Sequence, residues 1–231
     1  LGDLSPELRE RALTDANPYV RSSAVALGDL TAEQRERALT DGHPDVRSSA
    51  VALGDLTAEQ RERALTDGHP YVRRAAVALG DLTAEQRERA LTDGHPYVRR
   101  AAVALGDLTA EQRERALKDE DPYVRRAAEY ESKFGGIPRI ENIDRAILAA
   151  VEGGKHLDMG QWHCGTTHCR AGWAIHLAGE AGYALEAIVG SQEAGAAIYR
   201  RSRPGKPIPN FFASNVAALR DLRRCAAACG S

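Results

Sequence analysis

Apolar and polar positions in the first 130 residues recur at a fixed interval of 26 residues. The phrase Leu-Gly-Asp-Leu begins at Leu1, Leu27, Leu53, Leu79 and Leu105, and a typical unit runs LGDLTAEQRERALTDGHPYVRRAAVA from Leu53 to Ala78. Each unit predicts two helices. Thr57 followed by Gln60 is a capping box, in which the hydroxyl and the amide satisfy free backbone N–H groups. It opens a helix of about two turns ending near Leu65. Pro70 then sits where a first helical residue belongs, because its missing N–H costs nothing there. Beyond it, Val72, Ala75, Ala76 and Leu79 fall at i, i+3, i+4 and i+7 on one apolar stripe, and Gly80 supplies the stop. A stripe of alanines lets helices approach closely, and one unit cannot bury its own face. Stacking is therefore required.

The expected fold class is all-α: a right-handed-type α-solenoid of five 26-residue repeats over 1–130, then a compact helical domain over 131–231. The run Asp-x-x-Pro-x-Val-Arg-x-x-Ala-x-x-Ala-Leu-Gly from Asp67 to Gly80 resembles the HEAT-like repeats of the phycobilisome-lyase type. The shorter period is closer to the leucine-rich-repeat-variant solenoids. The resemblance covers the repeats only, and it implies protein binding through varied surfaces.

Three periodic positions carry candidate chemistry. His43, His69 and His95 precede the proline, where the other copies place Asn17 and Asp121, so a helix-capping role is expected. Arg21, Arg47, Arg73, Arg99 and Arg125 recur beside Asp15, Asp41, Asp67, Asp93 and Asp119, six residues earlier in each unit. A structural ladder of Arg–Asp pairs between layers is expected. Tyr19, Tyr71, Tyr97 and Tyr123, interrupted by Asp45, form a row flanked by Arg74 and Arg100. Tyrosine and arginine are the residues of interface hot spots, so this row reads as a protein-binding ridge or as rings covering the grooves between repeats.

Past Ala128 the apolar stripe gives way to Glu129-Tyr130-Glu131, and Gly135-Gly136-Ile137-Pro138 reads as a turn. Helices are expected from Asn142 to Gly153, after a cap at Thr166 or Thr167, at roughly 180–189, after Ser191, and from Ser214 to about Cys229. The dense stretch spans His156 to His176, with His163, Cys164, His168 and Cys169 inside it. The segment HCGTTHCRAGW resembles an uncharacterised Cys/His-containing domain of bacterial and phage proteins, and no activity comes with that resemblance.

Three readings of this cluster stand side by side. Cys169 at the start of a helix could be a nucleophile, with His163, His168 or His176 as base and Asp158 orienting it, as in a cysteine-dependent hydrolase or transferase. Alternatively, Cys164 and Cys169 could join Cys225 and Cys229 around a structural zinc. In the third reading the cysteines and tryptophans simply pack. No cofactor is required by any other feature.

Charge narrows the partners. Residues 1–130 sum to −5 and residues 131–231 to +3, so neither part has the basic excess of a nucleic-acid footprint. A basic patch at Arg200, Arg201, Arg203 and Lys206, with Arg220, Arg223 and Arg224, could meet an acidic partner, including the solenoid itself. No apolar run reaches the length of a membrane span. The opening on the repeat phrase without a Met reads as a fragment or processed product, and a cytoplasmic setting is expected. The function expected is a protein-interaction or assembly scaffold that binds a protein partner or self-associates through the solenoid. Its C-terminal domain would cap the solenoid or act on what the solenoid binds.

Overall fold

The computed structural model describes residues 5–153, 156–160, 163–164, 167–204, 206 and 208–228, with backbone alone at 163, 164 and 167. The repeat array holds α1 Pro6–Leu13, α2 Pro18–Ala26, α3 Ala32–Leu39, α4 Pro44–Ala52, α5 Ala58–Leu65, α6 Pro70–Ala78, α7 Ala84–Leu91, α8 Pro96–Ala104, α9 Ala110–Leu117 and α10 Pro122–Phe134. Local chemistry starts each one. Thr31, Thr57, Thr83 and Thr109 form complete capping boxes with Gln34, Gln60, Gln86 and Gln112. In the second helices, Asn17, His43, His69, His95 and Asp121 accept the N–H two residues on, the histidines through Nδ1. The histidine row is thus a row of caps.

The second helices α2, α4, α6, α8 and α10 each pack against the next and form the spine. Ala50, Ala76, Ala102 and Ala127 are wholly buried along it, which is how alanine brings helix backbones together. The first helices are held to one another by polar links instead. Glu36 accepts from Gln60 and pairs with Arg63 at 2.7 Å, and Glu10, Glu62 and Glu88 repeat the arrangement. The first four repeats close on a Gly-Asp pair with positive φ, as at Gly80 (77°) and Asp81 (50°), which terminates the second helix and turns the chain, whereas α10 runs on to Gly135.

The arginine ladder is bidentate. Arg47 gives Nε and Nη2 to Asp67 at 2.8 Å and Nη1 to the Asp41 carbonyl at 2.9 Å. Arg21, Arg73 and Arg99 do the same with Asp41, Asp93 and Asp119. One guanidinium therefore ties its own repeat to the next, with the planar fork matched to a carboxylate. For Asp41 the Arg21 hydrogen bond dominates and lowers the carboxyl below its usual range. For Asp67, Asp93 and Asp119 burial is the largest single influence and raises the carboxyl, but the guanidinium bond, the backbone N–H bond and the nearby positive charge together leave it lowered.

The C-terminal part adds α11 Ile143–Glu152, α12 Arg170–Leu177, α13 Gly179–Val189, α14 Ser191–Ser202 and α15 Asn215–Ala228. It also holds three two-residue strands not expected from the sequence: β1 His156–Leu157, β2 His163–Cys164 and β3 Thr167–His168, in the order β1-β3-β2. Strand β1 runs parallel to β3, and β2 runs antiparallel to it. The chain remains an all-helical repeat array with a helical C-terminal part. Glycines let α12, α13 and α14 pack closely, since a Cβ on Gly195 would stand 2.5 Å from the Ala171 Cβ. Two expected caps differ. Asn142 adopts a left-handed conformation and makes no side-chain cap, and α12 is capped by Cys169, not by Thr166 or Thr167. Among the described residues, no helix is long and apolar enough to cross a membrane.

Candidate functional site

Pro and the cap residue fix the first turn of each second helix, so the next side chain, the tyrosine, projects from one edge of the array. Tyr19, Tyr71, Tyr97 and Tyr123 are all exposed. The Tyr71 and Tyr97 rings stack at 5.8 Å between centroids and 11° between planes. His69 and His95 meet them edge-on at 5.2 and 4.9 Å, and the Arg100 guanidinium lies 5.2 Å from the Tyr97 centroid. The result is an aromatic strip from His69 to Arg100 with a cation over its end, the geometry of aromatic stacking and cation–π attraction. Asp45 interrupts it, leaving Tyr19 edge-on to His43 at 6.1 Å.

Arg74, at the position of Arg100 one repeat earlier, does not join the strip. Helix α14 supplies Glu193, which ion-pairs with Arg74. That pair belongs to a wider contact between the array and the C-terminal helices. Arg200 of α14 donates to the carbonyls of Ala78 (3.1 Å) and Ala52 (3.3 Å), the last residues of α6 and α4, where helix dipoles present negative charge. Desolvation pushes its guanidinium down to about 10, with Glu193 opposing. Arg201 approaches Asp107 at 3.7 Å, and Lys133 pairs with Glu180 at 2.6 Å. Between α14 and the repeat turns lies a cleft of about 570 Å³, which Arg139 and Lys206 also line. The basic patch expected from the sequence is therefore divided, with Arg200 and Arg201 facing the array. Arg203 turns inward to Asp144, and Arg223 and Arg224 pair with Glu152 and Asp221.

Cys169 is 2% exposed and caps α12, its Sγ accepting the Gly172 N–H at 3.3 Å. Among the described residues this is the hydrogen bond that Sγ makes. Burial pushes the thiol up, against the lowering from the backbone N–H groups at the helix start. His168 is buried against Trp173 and His176, both at 4.7 Å between ring centroids, and His176 Nδ1 lies 2.8 Å from the Tyr183 hydroxyl. Asp158 accepts the Gly160 N–H in a turn. The side chains of His163 and Cys164, and all of Cys229, lie outside the described residues. Cys225 Sγ sits 3.8 Å from an Asp221 oxygen. Among the described residues, no three His, Cys, Asp or Glu side chains gather as metal ligands.

Next to Cys169 is the feature sequence reasoning missed. Arg170 is 1% exposed and donates to Asp144 Oδ1 (2.6 Å), to the Tyr199 hydroxyl (3.0 Å) and to Asp221. Arg203 approaches the other Asp144 oxygen at 2.9 Å. Arg170 and Arg203 meet Asp144 and Asp221, with the exposed Arg224 also on Asp221, and the cluster joins α11, α12, α14 and α15. The available signal was Asp144 between Ile143 and Ile147 on an apolar helix face, but an acid in a first helical turn has an ordinary dipole explanation. Desolvated charges also mark catalytic sites, yet here each has a charged partner and none lines the 570 Å³ cleft except Arg203.

No protein-family model matches this chain, and no characterised protein matches it either.

Proposed function

We propose that the chain is a protein-binding scaffold whose repeat array presents the tyrosine ridge to a protein partner, with the C-terminal helices bracing the array. The observation that carries this reading is the strip from His69 to Arg100. Its rings are exposed and already stacked, so little side-chain entropy is lost when a partner covers them. Arg47, Arg73 and Arg99, which could have formed a polyanion-binding face, are occupied by carboxylates.

A photo-cross-linking residue at position 97 should capture a protein in cells of origin, whereas one at the exposed Glu59 on a first helix should not. Tyr71→Ala should cut the yield at position 97 by about tenfold or more, the scale of a hot-spot residue, and leave the melting curve unchanged. Equal yields from positions 97 and 59 would overturn the ridge.

The competing reading, Cys169 as the nucleophile of a hydrolase or transferase, needs an accessible, acidified thiol. In the folded protein Cys169 should react with iodoacetamide near pH 7 more slowly than a free cysteine, and reach that rate only on unfolding in urea. Labelling faster than the free amino acid would favour the enzyme over the scaffold.

A further inference from the structure

Along α14, Glu193, Ala197 and Arg200 fall at i, i+4 and i+7 and share the helix face turned toward the array. The two long side chains reach across, Glu193 to Arg74 and Arg200 to the carbonyls of Ala78 and Ala52, and the small one between them cannot. What remains is a crevice of about 230 Å³, floored by Ala75, Ala101 and Ala104 of the array and walled by Leu185 and Val189 of α13. At Arg200 it meets the 570 Å³ cleft, since Ala78, Leu105, Ile137 and Ala197 line both spaces. Together they are of the size that small-molecule sites have.

The crevice is apolar and the cleft is basic. Six arginines and Lys206 line the cleft against three aspartates, Asp55, Asp81 and Asp107. Arg61 and Arg87 each spend one N–H on a carbonyl, those of Gly80 (2.7 Å) and Gly106 (2.6 Å). Among the described residues, no carboxylate meets Arg61, Arg87, Arg139 or Arg200. Arg201 comes only to 3.7 Å from Asp107, with both side chains more than half exposed. The Arg203 Nε is buried with no hydrogen-bond partner among the described residues, and so is the Arg74 Nε on the crevice wall. A buried donor left unpaired is a place where a further group completes the bonding. Burial also lowers the Arg200 guanidinium to about 10, a cost that an anion beside it would offset.

We propose that cleft and crevice form one binding site for a small organic anion with an apolar body. Its oxyanion head is held by Arg139, Arg200 and Arg203, and its body lies between α14 and the alanines of α6 and α8. Guanidinium forks match the oxygens of a phosphate or a carboxylate, and an excess of four positive charges in the lining favours the doubly charged phosphate. The body gains from covering alanine, leucine and valine side chains that the array and α13 leave uncovered between them. A bound ligand would touch both the repeats and α14, so it would also brace the C-terminal helices against the array. The tyrosines line neither space, so the site stands or falls separately from the ridge.

Titration calorimetry of the 231-residue chain tests this with octyl phosphate and octanoate, each below its micelle-forming concentration. Octyl phosphate should bind at one site per chain, with octanoate weaker. Inorganic phosphate, which lacks the body, and octyl glucoside, which lacks the charge, should each bind about tenfold or more weakly than octyl phosphate. Arg200→Met should weaken octyl phosphate by about tenfold or more, the scale of one charged hydrogen bond. Should that variant fold poorly, Arg139→Gln, on an exposed side chain, is expected to do the same. Ala101→Phe, which puts a ring into the crevice from α8, should bring octyl phosphate down to the affinity of inorganic phosphate. A chain carrying Tyr71→Ala and Tyr97→Ala should bind as the wild type does. Octyl glucoside binding as tightly as octyl phosphate would overturn the proposal, as would binding that ignores both Arg139→Gln and Ala101→Phe. A hexaglutamate peptide that binds more tightly than either probe would overturn it in favour of an acidic protein segment.

Discussion

Replacing Arg170 with methionine should destabilise the C-terminal helices by about 3–5 kcal/mol, the cost of leaving a buried charge without its partner. Methionine keeps much of the volume, so the loss is electrostatic and not a cavity. Asp144, 1% exposed, would keep Arg203 and the Tyr199 hydroxyl at 3.5 Å but lose its closest cation, and the Tyr199 hydroxyl would lose the Nε donor. The four helices joined by this cluster would loosen together. Urea unfolding followed by tryptophan fluorescence reads the change directly, since Trp173 is fully buried on α12 three residues from Arg170. Lys118→Met, in an exposed pair with Glu114, supplies the comparison and should stay within about 0.5 kcal/mol of the wild type. A loss below about 1 kcal/mol at Arg170 would mean that the cluster is solvated and contributes no more than a surface pair.

Gly106→Ala should cost about 2–4 kcal/mol, and Gly80→Ala, at the same place one repeat earlier, only about 1 kcal/mol. Both glycines have positive φ (82° and 77°), so both substitutions carry the same left-handed strain. What differs is the surroundings. A Cβ on Gly80 would meet only a Leu105 methyl at 4.0 Å, whereas on Gly106 it would stand 2.7 Å from the Gly136 Cα and 2.8 Å from the Gly135 carbonyl oxygen. Backbone cannot rotate out of the way as a side chain can, so the turn after α10 would have to move. Thermal melts of the two variants give the comparison, and new proteolytic cleavage between α10 and α11 should appear only for Gly106→Ala. Equal shifts in melting would show that the close approach at Gly136 contributes nothing.

What the sequence determined by itself was whatever depends on neighbours within a turn or on strict repetition. The capping boxes, Pro at N1, the Gly stop and the alanine stripe are contacts between residues a few positions apart, and the period of 26 multiplied each signal. The histidine row was legible for the same reason, because Asn17 and Asp121 share its position. The arginine ladder was legible as a pairing but not in its offset. In a repeat, the aspartate six residues back and the one twenty residues on are the same position in different copies. Only stacking assigned the carbonyl to the first and the carboxylate to the second.

The C-terminal part was less legible, since its decisive contacts cross long stretches of chain. Arg170 and Asp144 are 26 residues apart and share no period, so nothing local marks them as partners. Two-residue strands are too short to show alternation. Cys169 stood open in the sequence as a nucleophile, a zinc ligand or a packing residue, because local sequence does not say what surrounds a helix-start cysteine. The tertiary structure made it a buried cap by laying the helix it starts against α14. Likewise Arg74 and Arg100 are identical in sequence context, and it is Glu193 on α14 that separates them. Short-range chemistry decides which segments become helices. Which of their charges stay free depends on what the completed packing brings within hydrogen-bonding distance, where desolvation makes a partner obligatory.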